Sequence, residues 1–281
     1  MKVGCFALVD PFSTFEHQLK RVAGMGFSCA DVTDTHSGGL LGKEFGFTAT
    51  VSLDENPFRI KALFKKYGLT LTTVCAHANL LDPSSPGIYG NNEIIKAVKF
   101  ASMAGVAHVI STEGEPHTDW CKRLSYEQKL AVVADKLAEP LELAGELGVK
   151  ILLEPHGPIT GTIKGMTDIM SLLGNPQALG VCFDTGNSWL AGSDPVEYAK
   201  AFKDKIYHAH WKDMPKDMLQ QRGKIFGCGM AVIPLGTGEV DIEGCYAVLK
   251  DCPHLKCSTL EIAGDDNQLK SYEYLKKLGA E

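Results

Sequence analysis

Four short apolar runs, each ending in a residue that can bind a metal ion, constrain this chain more than any other feature. The first, Val149 to Leu153, is followed by Glu154-Pro155-His156-Gly157. The others are Val181-Cys182-Phe183-Asp184, Ile206-Tyr207-His208-Ala209-His210 and Ser258-Thr259-Leu260-Glu261. Apolar runs without polar alternation are typical of parallel strands, which are covered on both faces. Side chains repeat every second residue along a strand, which predicts Glu154 and His156 on one side, and likewise His208 and His210. A carboxylate at the end of an apolar strand is costly to bury unless a cation meets it. Four such ends, each presenting one oxygen or nitrogen, predict a shared metal centre.

The rest of the chain supplies the frame. Strands are predicted at Val3–Leu8, Cys29–Val32, Leu69–Cys75, Val106–Ser111, Val149–Glu154, Ala178–Asp184, Lys205–His210 and Lys256–Glu261. Helical patterns lie between them: Thr14–Met25, Pro57–Tyr67, Asn92–Ala104, Ser125–Leu147, Met166–Leu173, Pro195–Phe202, Ile242–Leu249 and Asn267–Leu278. Ser125 with Gln128 is a capping-box pattern at the start of the longest helix. The ligand-bearing ends are spaced 30, 26 and 51 residues apart. A barrel of about 250 residues in eight units allots about 31 to each, and the longer interval contains an insert, Trp211–Gly238. A doubly wound open sheet would want a glycine-rich phosphate turn after strand one, and Val9-Asp10-Pro11-Phe12-Ser13 has no glycine. The expected fold is therefore α/β, a (β/α)8 TIM barrel forming one domain over residues 1–281.

Composition narrows the function classes. The net charge of −6 and the lack of a basic run argue against nucleic acid or an anionic membrane as partner. No stretch approaches the ~20 apolar residues of a membrane span. The nine cysteines are odd in number, with no Cys-x-x-Cys among them, which fits a reducing cytoplasm and neither a zinc ribbon nor a redox dithiol.

In a barrel, the strands' C-terminal ends meet at one mouth. Glu154, Asp184, His210 and Glu261 would face a common point there. Three carboxylates and an imidazole suit Mn2+ first, with Mg2+, Co2+ or Zn2+ as alternatives. Taken singly, Glu154 also suits a structural ion pair, and Asp184 a cap on the turn Thr185–Asn187.

The stretches Leu153-Glu154-Pro155-His156, Phe183-Asp184-Thr185-Gly186-Asn187, His208-Ala209-His210-Trp211-Lys212-Asp213, Leu235-Gly236-Thr237-Gly238-Glu239-Val240-Asp241 and Leu260-Glu261 carry a resemblance. In order and type they resemble the xylose isomerase-like barrel superfamily, in the branch of sugar phosphate isomerases/epimerases, inosose isomerases and ketose 3-epimerases. The resemblance implies metal ligation by Glu154, Asp184, His210 and Glu261. It also implies proton transfer by Glu154 and Glu261 on opposite faces of a substrate carbon. Asn187 stands where the epimerases carry a histidine. Glu154-Pro155-His156 is similar instead to lyase-like relatives, the catalytic subunits of C-glycoside deglycosidases, in which a histidine takes the proton.

The expected function is a divalent-metal-dependent isomerase or epimerase of a keto-sugar or keto-cyclitol. The alternative is a lyase or dehydratase on a 3-keto-glycoside or inosose, with His156 as base. The partner is then a small sugar-like molecule, and a homo-oligomeric assembly is compatible with either reading. His77, Asn187 and Lys212 are the expected substrate contacts, with a solvated surface position equally suited to Lys212. His208 reads as a core histidine, Trp189 and Trp211 as walls or rim packing, and Glu113, Glu115 and His117 as a polar loop. Gly236-Thr237-Gly238 reads as a turn. The inserts at His36–Glu55 and Trp211–Gly238 are expected to cover the mouth.

Overall fold

Eight strands close on one another in sequence order, each parallel to both neighbours. The computed structural model describes residues 1–7, 13–33, 51–81, 89–116, 118–227 and 233–281. The strands are β1 (Lys2–Phe6), β2 (Cys29–Thr33), β3 (Thr70–Cys75), β4 (His108–Ser111), β5 (Lys150–Leu153), β6 (Leu179–Asp184), β7 (Ile206–Trp211) and β8 (Cys257–Leu260). β1 pairs with β8, Val3 opposite Ser258, which closes the barrel. The chain is therefore a (β/α)8 TIM barrel.

The predicted helices are all present: α1 (Phe15–Gly24), α2 (Pro57–Lys66), α3 (Tyr89–Ala104), α5 (Tyr126–Glu146), α6 (Ile163–Leu172), α8 (Pro195–Ala201), α9 (Ile242–Leu249) and α10 (Asp265–Leu278). Two further short helices are added to these, α4 (Asp119–Arg123) and α7 (Thr185–Leu190). The capping box forms as expected, the Gln128 N–H donating to Ser125 Oγ and the Ser125 N–H to Gln128 Oε1. Such a cap stabilises a helix start by about 1 kcal/mol.

Alternation along the strands divides the core in two. Ile151 and Leu153 join the large cluster between strands and helices. Leu152, of opposite parity, packs with Phe6, Cys75, Ile110 and Cys182 in a small cluster inside the barrel. Parity continued along each strand therefore points Glu154, Asp184, His210 and Glu261 inward, above that cluster.

Several expectations need correction. β5 ends at Leu153 rather than Glu154, and Pro155 lies in a bend, so His156 lies outside the strand. Trp211 belongs to the outer core beside Tyr246, its ring centroid 6.4 Å away, and is no wall of the mouth. The second insert carries a 3-10 turn at Lys216–Gln221. Its Gly236-Thr237-Gly238 turn wraps the Asp213 carboxylate, with all three N–H groups donating to Asp213 Oδ2 at 2.9–3.1 Å. Leu8, His117 and most of the first insert lie outside the described residues. No described helix is long and apolar enough to cross a membrane.

Candidate metal centre

Glu154, Asp184, His210 and Glu261 present one donor atom each, all within 4.8 Å of one another and all buried. They come from, or from the residue just after, β5, β6, β7 and β8. His210 Nδ1 faces the group, 3.1 Å from Glu154 Oε1 and 3.6 Å from Glu261 Oε2. Asp184 holds both of the positions considered for it. Its Oδ1 accepts the Asn187 N–H at 2.7 Å, capping α7, while Oδ2 lies 2.8 Å from Lys212 Nζ.

Three buried carboxylates are crowded here against Lys212 and His210. Burial and the neighbouring Glu154 and Glu261 carboxylates push the Asp184 carboxyl up to about 8, against the opposing pull of Lys212. Burial alone would raise Glu154, but the His210 imidazole, with His77 and Lys212, holds it well below the usual range. Burial would lower His210, yet the surrounding negative groups hold it well above its ordinary value. Glu154 Oε2, Asp184 Oδ2 and Glu261 Oε2 receive no well-directed hydrogen bond from the described residues. Three hard oxygens and one nitrogen so placed fit a divalent ion.

Lys212 is not a surface lysine. Its side chain is 2% exposed, and Nζ lies 2.8 Å from Asp184 Oδ2, against Glu261 Oε2, and 3.4 Å from Asn187 Oδ1. Gly186 makes room for it, since a Cβ there would stand 2.6 Å from Lys212 Cβ. Asn187 Nδ2 donates to Glu154 Oε1 at 3.2 Å, and His77 Nε2 lies 3.3 Å from Glu154 Oε2. All three expected substrate contacts thus sit at the centre.

His156 lies apart from the four donors in its bonding. Its Nε2 is 3.3 Å from Glu115 Oε1, and its backbone N–H donates to Thr160 Oγ1. Gly227, at φ +91°, packs so closely that a Cβ would overlap the His156 ring. Glu113 grips the same loop, accepting the Ile159 N–H at 2.9 Å and the Thr160 N–H. Burial pushes the Glu113 carboxyl up to about 7 despite those donors. Glu113 and Glu115 therefore shape the loop that carries His156. Trp189 is buried beneath the Arg222 guanidinium, 4.7 Å from its ring centroid.

Asp31 was not anticipated as part of the site. It is fully buried inside the barrel, with Oδ2 accepting from Thr259 Oγ1 at 2.6 Å and 3.1 Å from His208 Nε2. The one signal for it is an acidic residue inside the apolar run Cys29-Ala30-Asp31-Val32. Asp31, Cys75 and His210 also lie within 4.8 Å of one another. Burial keeps the Cys75 thiol protonated, which makes it a poor ligand, and His210 turns Nδ1 to the other group.

The sequence profile of the xylose isomerase-like TIM barrel family matches residues 19–278. The chain belongs to that family. An inosose dehydratase of Lacticaseibacillus casei is 23% identical over 198 residues, 67% of this chain and 63% of the relative. The chain thus spans about six tenths of the length of the curated relatives it matches first. Among solved structures of the fold, a D-tagatose 3-epimerase-like protein superposes with a TM-score of 0.78 at 19% identity, covering 99% of this chain and 97% of that one. The IOLI protein with a binding zinc atom gives 0.75 at 17% identity, covering 99% and 98%.

Proposed function

We propose that this family member is a divalent-metal-dependent enzyme that removes a proton next to the carbonyl of a keto-sugar or keto-cyclitol. The convergence of four buried donors from four strand ends within 4.8 Å is the observation that carries this reading. Bound there, a divalent ion would supply positive charge to the substrate's carbonyl oxygen and so acidify the neighbouring C–H. The oxygen-rich donor set suits Mn2+ first, with Zn2+ as the alternative kept open by the IOLI neighbour. Lys212, already buried among the carboxylates, would hold a substrate hydroxyl, with Asn187 and His77 orienting Glu154.

Two outcomes are open to the carbanion so formed: reprotonation, which isomerises or epimerises the sugar, and loss of a β-oxygen, which is elimination. Reprotonation would use Glu154 and Glu261. His210, with His77 and Lys212, holds Glu154 well below the usual carboxylate range, which weakens it as a base, and the Lys212 ammonium lies against Glu261. His156 has Nε2 engaged by Glu115, so Nδ1 is the nitrogen that would accept a proton. In elimination, His156 would take the C–H proton, the released electron pair would form the C=C bond as the C–O bond breaks, and the β-hydroxyl would leave as water with the proton handed back by His156. We therefore favour elimination, in keeping with the dehydratase names of the curated relatives.

The test is incubation with inososes, ketoses and 3-keto-glycosides plus Mn2+ in deuterium oxide. An unsaturated product or released aglycone supports elimination, and a deuterated isomer supports epimerisation. No deuterium incorporation and no product with any of them would refute the proposal.

A further inference from the structure

Within the barrel, directly below the metal centre, a carboxylate sits where an apolar side chain would be expected. Asp31 is fully buried and is engaged from three strands: by Thr72 Oγ1 on Oδ1, and by Thr259 Oγ1 and His208 Nε2 on Oδ2. A fully buried carboxylate is costly, and stability alone would be served as well by apolar packing. Its remaining neighbour accounts for it. His210 Nε2 lies 3.6 Å from Asp31 Oδ2 and finds no well-directed hydrogen bond among the described residues. The same ring turns Nδ1 to Glu154 and Glu261. Phe6 and His208 pack edge-on against that ring, at centroid distances of 5.2 and 5.4 Å, so it has little freedom to turn over.

We propose that Asp31, aimed by Thr259 and His208, is a positioning residue that keeps the His210 proton on Nε2 and its Nδ1 lone pair directed at the metal ion. A histidine ligand that donates its other N–H to a carboxylate has a fixed tautomer and ring angle and is a more basic ligand. Thr259 lies on β8 two residues before Glu261, which directly follows that strand. The hydroxyl that aims Asp31 and the carboxylate that meets the ion are thus set by one strand.

This inference rests on the metal reading, and the experiment separates the two. The Kd for Mn2+ is measured by competition with a chromophoric chelator, and Tm is measured in chelator. The proteins compared are wild type, Asp31→Asn, Thr259→Val and Thr259→Ser. Asp31→Asn should weaken Mn2+ binding by about 10–100-fold. Thr259→Val should weaken it in the same direction by less, and Thr259→Ser, which keeps the hydroxyl, should restore it. If Asp31→Asn does not fold, the Thr259 pair carries the test. Wild type that binds no divalent ion overturns the metal reading itself. Wild type that binds, with Thr259→Val binding equally well while losing only Tm, overturns the positioning role.

Discussion

Replacing Lys212 by methionine should turn the metal centre from a tolerated cluster of charge into an unstable one. The side chain is 2% exposed and its ammonium touches Asp184 and Glu261. Removing one partner of a buried ion pair costs about 3–5 kcal/mol because the other is left uncompensated. In a chain of this length each kcal/mol moves Tm by about 2–4 °C, so Lys212→Met in chelator should melt about 6–20 °C below wild type. Asp184, with its carboxyl pushed up to about 8, moderates that loss at low pH by holding a proton. A carboxyl raised on folding contributes its stability at low pH and loses it as pH rises through the folded value. The gap should therefore be wider at pH 9 than at pH 6. Mn2+ stabilises whichever protein binds it, by about 2.7 kcal/mol at a hundred times its Kd, and the gap should narrow because the ion replaces the missing positive charge in the variant but must displace Lys212 in wild type. Differential scanning calorimetry with chelator and with Mn2+ reads all three effects. A variant as stable as wild type in chelator, or a gap indifferent to both Mn2+ and pH, would refute this account of Lys212.

His156→Asn should leave the Mn2+ affinity intact and lower elimination by about 10²–10⁴, as expected for loss of a general base; full turnover by a metal-loaded variant would return the proton transfer to Glu154 and Glu261. Gly227→Ala, at φ +91°, places a Cβ onto the His156 ring. It should cost about 1–2 kcal/mol of strain and reduce kcat with Mn2+ titration unchanged, measured by calorimetry and steady-state kinetics. Glu113 is raised from 4.5 to about 7 by burial, so wild-type stability should fall by about 3 kcal/mol as pH climbs from 4.5 to 7. Glu113→Gln should lack that share of the slope in Mn2+-loaded protein, and parallel pH profiles of the two would count against it.

The barrel was legible because its strands are apolar on both faces and its helices carry strong caps and stops, such as Ser125 with Gln128. Boundaries slipped where a strand gave way to polar chemistry. Val149–Leu153 reads smoothly into Glu154, yet Pro155 bends the chain and removes His156 from the strand's alternation. The four donors could be read from the sequence because each terminates an apolar run. Lys212 was legible only as a contact or a surface lysine, and Asp31 not at all, since their burial depends on charges from other strands: Asp184 and Glu261 for the lysine, Thr259 and His208 for the aspartate. Asp184 was legible as a cap on the turn Thr185–Asn187, but not the full helix α7 that it starts. The pair Glu113 and Glu115 looked like any polar loop. Only the folded chain brings them against Gly157–Thr160 and His156.

Crystals grown with Mn2+, measured by anomalous scattering, test the central claim most directly. The account predicts a single strong anomalous peak within about 2.0–2.6 Å of Glu154, Asp184, His210 Nδ1 and Glu261, with Lys212 displaced from the carboxylates. A peak bound elsewhere, or none at saturating Mn2+ with these four side chains still paired to Lys212, would contradict it.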